Sequence, residues 1–296
     1  MRLHIYSFTF VVVLYLTSQI AHSQDHMKEL TFEAEDSNQI SYRQGGDGEE
    51  TLVFIHAGGL DKNMWAKEMN YFSEFYRVLS YDVRGQGKSI SQNEDIKEID
   101  DLYHLLEEEN IDHFHLIGLS FGAILALDYV LQYPEQVDNL VLASPGLIGL
   151  QEKHSLYLEK IQKYMAALQK GDQPEIIWQL KILSTGRTTN LPSEIDQYVR
   201  QCLGKYVEKN GHLRLPQIQE TAPLDHLSEI QSPTLILYGA EDLSFIQENA
   251  QRLDKEIEDS QLEKIAGAAH LINLEKPGIF QEILSKFLGT EMEVEE

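Results

Sequence analysis

The stretch His113-Phe-His-Leu-Ile-Gly-Leu-Ser-Phe-Gly-Ala-Ile-Leu-Ala-Leu-Asp128 decides how the rest of the chain is interpreted. The residues up to Leu119 form a short apolar run typical of a buried strand, and residues 121–132 are apolar on nearly every side, as in a buried helix. Gly118-Leu-Ser-Phe-Gly122 joins the two, so the chain must turn sharply there. A tight turn crowds the backbone, which favours glycine on both sides of Ser120 and leaves its hydroxyl exposed at the edge of a sheet.

Short apolar runs alternate with longer amphipathic runs on both sides of this stretch, which is the pattern of parallel strands joined by helices. An antiparallel hairpin is expected to come first, over residues 28–34 and 40–43. Further strands are predicted at 51–56, 77–82, 113–119, 140–144, 233–239 and 262–265, with helices at 64–75, 96–109, 121–132 and 277–288. The predicted fold class is α/β, with a mostly parallel central sheet flanked by helices.

The pattern changes between Gly146 and Asp225, where no strand-like run occurs. Three helices are predicted there instead, at residues 154–169, 174–183 and 192–208, with glycines as breaks between them. We interpret residues 147–225 as a helical cap that is inserted into an α/β core formed by residues 24–146 and 226–296.

The first 23 residues have the layout of a secretory signal peptide. A basic start at Arg2 precedes an apolar run at 5–17, and the small residues Ala21 and Ser23 occupy the −3 and −1 positions of a cleavage site. The run is shorter than the roughly 20 residues of a membrane-spanning helix, although an uncleaved anchor is the alternative. We expect a mature chain that begins at Gln24, is secreted or periplasmic, and keeps no stable membrane anchor.

The charge balance restricts the possible partners. The 296 residues include 48 Asp and Glu against 24 Lys and Arg, a net charge of −24. Such a chain repels the phosphate backbone, so we expect no nucleic-acid partner. The single cysteine, Cys202, excludes an intramolecular disulfide and any cysteine-based metal cluster.

A serine hydroxyl becomes a good nucleophile when an imidazole takes its proton, and that imidazole needs a carboxylate to orient it. His270 follows the last predicted strand, and Asp242 follows the strand before it. Because the carboxyl ends of parallel strands meet at one edge of a sheet, Ser120, Asp242 and His270 are expected to converge there. Glu241 and Asp225 are the alternatives for the carboxylate.

Four motifs together resemble the α/β-hydrolase fold superfamily, in its serine-hydrolase branch with a helical cap. They are His56-Ala-Gly-Gly59, Asp82-Val-Arg-Gly-Gln-Gly-Lys-Ser89, the Ser120 turn and the Asp242/His270 pair. In detail, Met64-Trp65, the Asp82 motif and the His270 segment are similar to 3-oxoadipate enol-lactonases and small carboxylesterases. The resemblance implies a small-molecule ester or lactone substrate, an acyl-enzyme on a Ser-His-Asp triad, and neither metal nor organic cofactor.

The same triad serves other members of this superfamily, so other substrates stay open. Carbon–carbon bond hydrolases, thioesterases, perhydrolases and aminopeptidases are alternatives. A non-catalytic ligand receptor of the same fold is another, since such receptors can retain the triad residues.

The resemblance assigns the stabilisation of a reaction oxyanion to the backbone amides of Gly58 and Phe121. The family has glycine where this chain has Ala57, and the extra methyl group is expected to tighten the loop. Gly59 is the alternative donor if the loop is shifted by one residue. His56 is expected to hydrogen-bond the loop backbone.

Two other features are interpreted as structural. Asp82 and Arg84 are expected to brace their loop through hydrogen bonds and an ion pair. His113 and His115 form a His-x-His pair with no third ligand nearby, which favours a structural role over a metal site.

Overall fold

The computed structural model describes residues 27–34, 38–91, 98–147, 154–187, 191–210 and 223–290. The predicted signal peptide, residues 1–23, lies outside the described residues. So do residues 148–153 and 211–222, which adjoin the predicted ends of the cap.

The described residues form one sheet of eight strands, in the spatial order β1-β2-β4-β3-β5-β6-β7-β8. The first two strands pair antiparallel, β2 is antiparallel to β4, and all other neighbours are parallel. Strands β3, β5 and β7 are buried along their whole length, as strands covered by helices on both faces must be. The strands are β1 (Lys28–Glu33), β2 (Gln39–Gly45), β3 (Thr51–Ile55), β4 (Arg77–Tyr81), β5 (Phe114–Leu119), β6 (Val137–Ala143), β7 (Thr234–Gly239) and β8 (Ser260–Ile265).

The helices cover both faces of this sheet, so the predicted fold class is confirmed. They are α1 (Ala66–Phe72), α2 (Glu98–Glu108), α3 (Phe121–Gln132), α4 (Ser155–Lys170), α5 (Gln173–Thr185), α6 (Ser193–Asn210), α7 (Ser244–Glu256), α8 (Ile272–Glu275) and α9 (Pro277–Leu288). A 3-10 turn, Lys62–Trp65, replaces the first turn of the helix predicted at 64–75. Helices α3 and α9 have the predicted bounds.

Helix α7 was missed, although the sequence carries its signal. Its buried apolar residues are Phe245, Ile246, Ala250 and Leu253, which recur with helical spacing. Polar residues fill the remaining positions, so the segment lacks the continuous apolar character that identified α3. The very short α8 was missed as well.

Two apolar clusters form the core, one on each face of the sheet. Trp65 belongs to the second cluster and is fully buried between Phe54 and Phe280, at ring-centroid distances of 5.2 and 5.8 Å. This cluster also takes in apolar residues of α5 and α6, so the core extends from the sheet into the helices that follow β6.

Helices α4, α5 and α6 lie in sequence between β6 and β7, as predicted, and are called the inserted helices below. They pack against one another and against loops at the carboxyl ends of the strands. The Tyr198 hydroxyl of α6 donates to Asp61 Oδ1 at 2.8 Å, and the side chain of Leu203 lies against Gly59. In the part of the chain that the structure describes, no helix combines the length and the apolar character needed to cross a membrane.

Candidate active site

The turn between β5 and α3 has the strained geometry that its glycines indicate. Ser120 adopts a φ of 57°, and its amide donates to the Ala143 carbonyl at 2.9 Å. A β-carbon at Gly118 would lie 2.2 Å from the carbonyl oxygen of Gly122, and one at Gly122 would lie 2.2 Å from that of Ile55. Both positions therefore require glycine, and the turn holds the serine hydroxyl above the end of the sheet.

Three of the predicted site residues meet at this edge. His270 Nε2 lies 2.7 Å from Ser120 Oγ, and His270 Nδ1 lies 2.8 Å from Asp242 Oδ2. The imidazole and the carboxylate are buried, whereas Ser120 is half-buried. Because a carboxylate only accepts hydrogen bonds, the imidazole proton lies on Nδ1, and Nε2 is left to accept the serine proton.

The carboxylate partner of His270 is Asp242 rather than either alternative. Its second oxygen, Oδ1, accepts the Leu243 amide at 2.7 Å, which fixes the plane of the carboxylate. Glu241 instead pairs with Arg187 Nη1 at 2.7 Å, and Asp225 belongs to a 3-10 turn before β7.

The two predicted oxyanion donors are adjacent. A β-carbon at Gly58 would lie 3.2 Å from Cβ of Phe121, and neither residue's amide donates a hydrogen bond to another described residue. The alternative donor, Gly59, is already engaged, because its amide donates to Gln86 Oε1 at 2.6 Å. Of the three candidate amides, the structure thus engages that of Gly59 and leaves those of Gly58 and Phe121 side by side.

His56 fixes the loop that carries Gly58. Its Nε2 accepts the Val83 amide at 2.9 Å, so the proton lies on Nδ1, which donates to the Ala57 carbonyl at 2.8 Å. Burial lowers the pKa of this imidazole and keeps it neutral. The Ala57 amide donates to Met64 Sδ at 3.2 Å. His56 thus bonds loop backbone, as expected, and ties the loop after β3 to the loop after β4.

The Asp82 motif is braced by two separate ion pairs. Asp82 accepts from the buried Lys62 ammonium at 2.9 Å and from the Lys88 amide at 2.8 Å. Arg84 pairs with Asp101, and its Nε lies 2.6 Å from Asp101 Oδ2. Asp82 and Arg84 each brace the loop, through different partners.

The His-x-His pair has separate partners. His115 is buried, and its Nδ1 lies 2.9 Å from the side-chain nitrogen Nδ2 of Asn139, with which it forms a hydrogen bond. His113 is exposed and lies 3.5 Å from Asp138. Among the described residues, no group of three or more His, Cys, Asp or Glu side chains is placed to hold a metal ion.

The end of α5 contacts Asp242 and His270, which the sequence patterns did not indicate. The His270 amide donates to the Thr185 carbonyl at 3.3 Å. Gly186 has a φ of 65°, and a β-carbon there would lie 2.7 Å from Asp242 Oδ1. Arg187 follows and pairs with Glu275, which is 88 residues away in the chain. Gly186 is recognisable in the sequence as a helix end, but no local pattern indicates what lies against it.

The family model described as alpha/beta hydrolase fold matches residues 50–277. The chain therefore belongs to the α/β-hydrolase fold family, and it is a hydrolase of that fold.

The curated relatives are distant. A 2-hydroxy-6-oxo-6-phenylhexa-2,4-dienoate hydrolase of Comamonas testosteroni is 25% identical over 264 residues, covering 84% of this chain and 91% of that protein. The 3-oxoadipate enol-lactonase 1 of Acinetobacter baylyi is 24% identical over 264 residues, covering 82% of this chain and 90% of that protein.

Solved structures agree on the fold. The structure of a thermophilic esterase from Thermogutta terrifontis superposes with a TM-score of 0.74 at 20% identity, covering 88% of this chain and 98% of that one.

Proposed function

We propose that this protein hydrolyses a small carboxylic ester or lactone with Ser120 as its nucleophile. The observation that carries the proposal is the continuous hydrogen-bonded path from Ser120 Oγ through His270 to Asp242, with links of 2.7 and 2.8 Å. The choice of substrate class is supported by the relative named as an enol-lactonase and by the similar structure described as an esterase.

In the first half-reaction, Ser120 Oγ attacks the carbonyl carbon while its proton passes to His270 Nε2. The carbonyl oxygen becomes an oxyanion that accepts hydrogen bonds from the amides of Gly58 and Phe121, each contributing on the order of 3 kcal/mol to transition-state stabilisation. Asp242 stabilises the imidazolium. The imidazolium then protonates the departing alcohol oxygen, which leaves an acyl group on Ser120.

Water completes the second half-reaction. The water oxygen attacks the acyl carbon while His270 Nε2 takes a proton from that water. The amides of Gly58 and Phe121 donate hydrogen bonds to the new oxyanion. When that intermediate collapses, the acid departs and Ser120 recovers its proton from His270.

Ser120→Ala tests the proposal, with Ser228→Ala as the matched control. Ser228 is exposed and lies in a 3-10 turn that precedes the amino end of β7, whereas Asp242 follows the carboxyl end of that strand. We expect the first variant to lose turnover of a short-chain nitrophenyl ester and labelling by a fluorophosphonate. The control should keep both. Unchanged ester turnover in Ser120→Ala would refute the proposal.

A ligand receptor of this fold is distinguished by the number of turnovers. An enzyme releases many equivalents of nitrophenol per chain, whereas a receptor that retains a reactive serine is acylated once and stops. A panel of esters, lactones, thioesters and amides, together with a 2-hydroxy-6-oxo dienoate suggested by the Comamonas relative, then identifies the bond that is cleaved.

We also propose that residues 1–23 direct export and are removed. The support is the order of basic, apolar and small residues at the start of the chain. The mass and N-terminal sequence of the protein recovered from the periplasm or medium should show Gln24 as the first residue. A chain that retains residues 1–23 in the membrane fraction would instead indicate an anchor.

A further inference from the structure

The inserted helices contact two parts of the candidate active site: the loop that carries Gly58, and the residues Asp242 and His270. On one side, Asp61 of the loop that carries Gly58 accepts from Tyr198 of α6. On the other side, the end of α5 lies against Asp242 and His270, through Gly186 and the Thr185 carbonyl. Position 186 leaves no room for a β-carbon, so the fit between α5 and the acid is close.

Arg187, next in the chain, bridges two loops. The acid loop is residues 240–243, which contain Asp242, and the base loop is residues 266–271, which contain His270. Arg187 Nη1 lies 2.7 Å from Glu241 Oε2, beside the acid. Its Nε and Nη2 lie 3.0 and 2.9 Å from Glu275 Oε2.

Glu275 also contacts the base loop, so it connects that loop to Arg187. Its Oε1 accepts the amide of Ala269, the residue before His270, at 3.2 Å. The Glu275 side chain is only 4% exposed, and burial raises the pKa of its carboxyl, while the charge of Arg187 acts in the opposite direction. Without Arg187, a buried carboxylate would either take up a proton or relax towards water, and either change would disturb its bond to the base loop.

All three guanidinium nitrogens of Arg187 are engaged by these two carboxylates, and its side chain is 17% exposed. The side chain is thus neutralised by the protein itself. This arrangement suits a residue that holds two loops together better than one that receives an anionic substrate.

We propose that Arg187 is a positioning residue. By joining Glu241 to Glu275, it holds the acid loop and the base loop at the spacing that the Ser120–His270–Asp242 hydrogen bonds require. Catalysis therefore depends on docking of the inserted helices. The inference rests on the proposed function, in which these three residues do the chemistry.

The test compares Arg187→Met, which removes the charge, with Arg187→Lys, which keeps the charge but lacks the fork that reaches both carboxylates. Arg200→Met is the matched control. Arg200 lies on α6, is 46% exposed, and pairs with Asp196 on its own helix at 2.7 Å. Three quantities are measured for each variant: kcat and KM on a soluble nitrophenyl ester, the rate of Ser120 labelling by a fluorophosphonate, and the far-downfield proton NMR signal of His270 Nδ1.

We expect Arg187→Met to lower kcat and the labelling rate by about 10–100-fold, since misplacement of catalytic groups by about 1 Å costs this much. KM should change by less than about threefold, because the residue does not bind substrate. The Nδ1 signal should broaden or disappear. Arg187→Lys should recover part of the loss, and Arg200→Met should behave as the unaltered protein.

The inference is overturned if Arg187→Met keeps kcat and the labelling rate within about twofold, or if only KM rises, which would make the residue a substrate contact. Thermal unfolding shows whether each variant is folded at the assay temperature. If Arg187→Met is not, Glu241→Gln and Glu275→Gln replace it, since each leaves Arg187 one partner, and unchanged labelling in both would overturn the inference.

Ser120→Ala separates this inference from the proposed function. Turnover that survives in Ser120→Ala refutes the proposed function, whatever Arg187→Met does. Turnover that is lost in Ser120→Ala but normal in Arg187→Met refutes the positioning role alone.

Discussion

The amide of Gly59 donates a hydrogen bond to the side-chain oxygen of Gln86 at 2.6 Å, which joins the loop after β3 to the Asp82 motif after β4. Gly58 and Gly59 are the two glycines whose amides could face a reaction oxyanion. Because the Gly59 amide already donates to Gln86, only the Gly58 amide is left for that role. Which amide of the loop after β3 is left free therefore depends on Gln86, a residue of the Asp82 motif.

Gln86→Ala should lower kcat on esters by about tenfold, because a loop whose amide is released no longer holds Gly58 in place. KM should change much less. Steady-state kinetics measures both, and Gln261→Ala, at an exposed position of β8, is the control. A normal kcat in Gln86→Ala would mean that packing of Leu203 against Gly59 is enough to hold the loop.

Alanine at Gly118 or Gly122 should destabilise the fold by about 2–4 kcal/mol, because the added β-carbon would overlap backbone atoms. Gly204→Ala is the matched control. Apart from its chain neighbours and the backbone of its own helix, no described atom lies within 4 Å of its β-carbon position in α6. The variant should therefore gain about 0.5–1 kcal/mol of stability from the better helix propensity of alanine. Denaturant unfolding measures the free energy of unfolding of the three variants. A turn that tolerates alanine at position 118 or 122 contradicts the steric argument.

Asp242→Asn should lower kcat by about 10⁴-fold with little effect on the fold, since an amide favours the wrong imidazole tautomer and cannot stabilise the imidazolium. Asp225→Asn, the control, should leave kcat unchanged. Ester kinetics at neutral pH distinguishes the two. Equal activity losses would show that the choice of acid is wrong.

The buried Glu68 should make stability depend on pH. Its Oε2 lies 3.4 Å from Asn273 Nδ2, three residues after His270, and burial raises the pKa of its carboxyl to about 8. In the unfolded chain this carboxyl ionises near its usual value of 4.5, so the folded state alone keeps the proton between these pH values. Its contribution to stability is therefore full at low pH and falls as the pH rises towards 8.

Glu68→Gln removes this dependence. The variant should gain stability relative to the unaltered protein as the pH is raised from 4 to 8, by at most about 1.4 kcal/mol per pH unit. Glu74→Gln, at an exposed position, should show no such trend. Denaturant unfolding across this pH range provides the measurement. If the free energies of unfolding of Glu68→Gln and of the unaltered protein differ by the same amount at every pH, a buried, protonated Glu68 is ruled out.

Local patterns in the sequence were sufficient to predict the eight strands and the strand–turn–helix unit that carries Ser120. The apolar run before Ser120, the apolar helix after it and the glycines on either side act over a few residues, because strand, turn and helix formation depend on near neighbours. The bounds of α3 were predicted to the residue on this basis. Helix α7 was missed, although its apolar residues recur with the same local helical spacing.

By itself, the sequence determined the α/β class, the order of the eight strands along the chain and three residues able to form a triad. Only the tertiary structure shows that Asp242, and neither Glu241 nor Asp225, lies against His270, that the Gly59 amide is engaged by Gln86, and that Arg187 joins two carboxylates. The reason is physical. Hydrogen bonds and ion pairs depend on distances of a few ångströms between groups that the chain separates by tens to more than a hundred residues, and packing of the sheet and the inserted helices sets those distances.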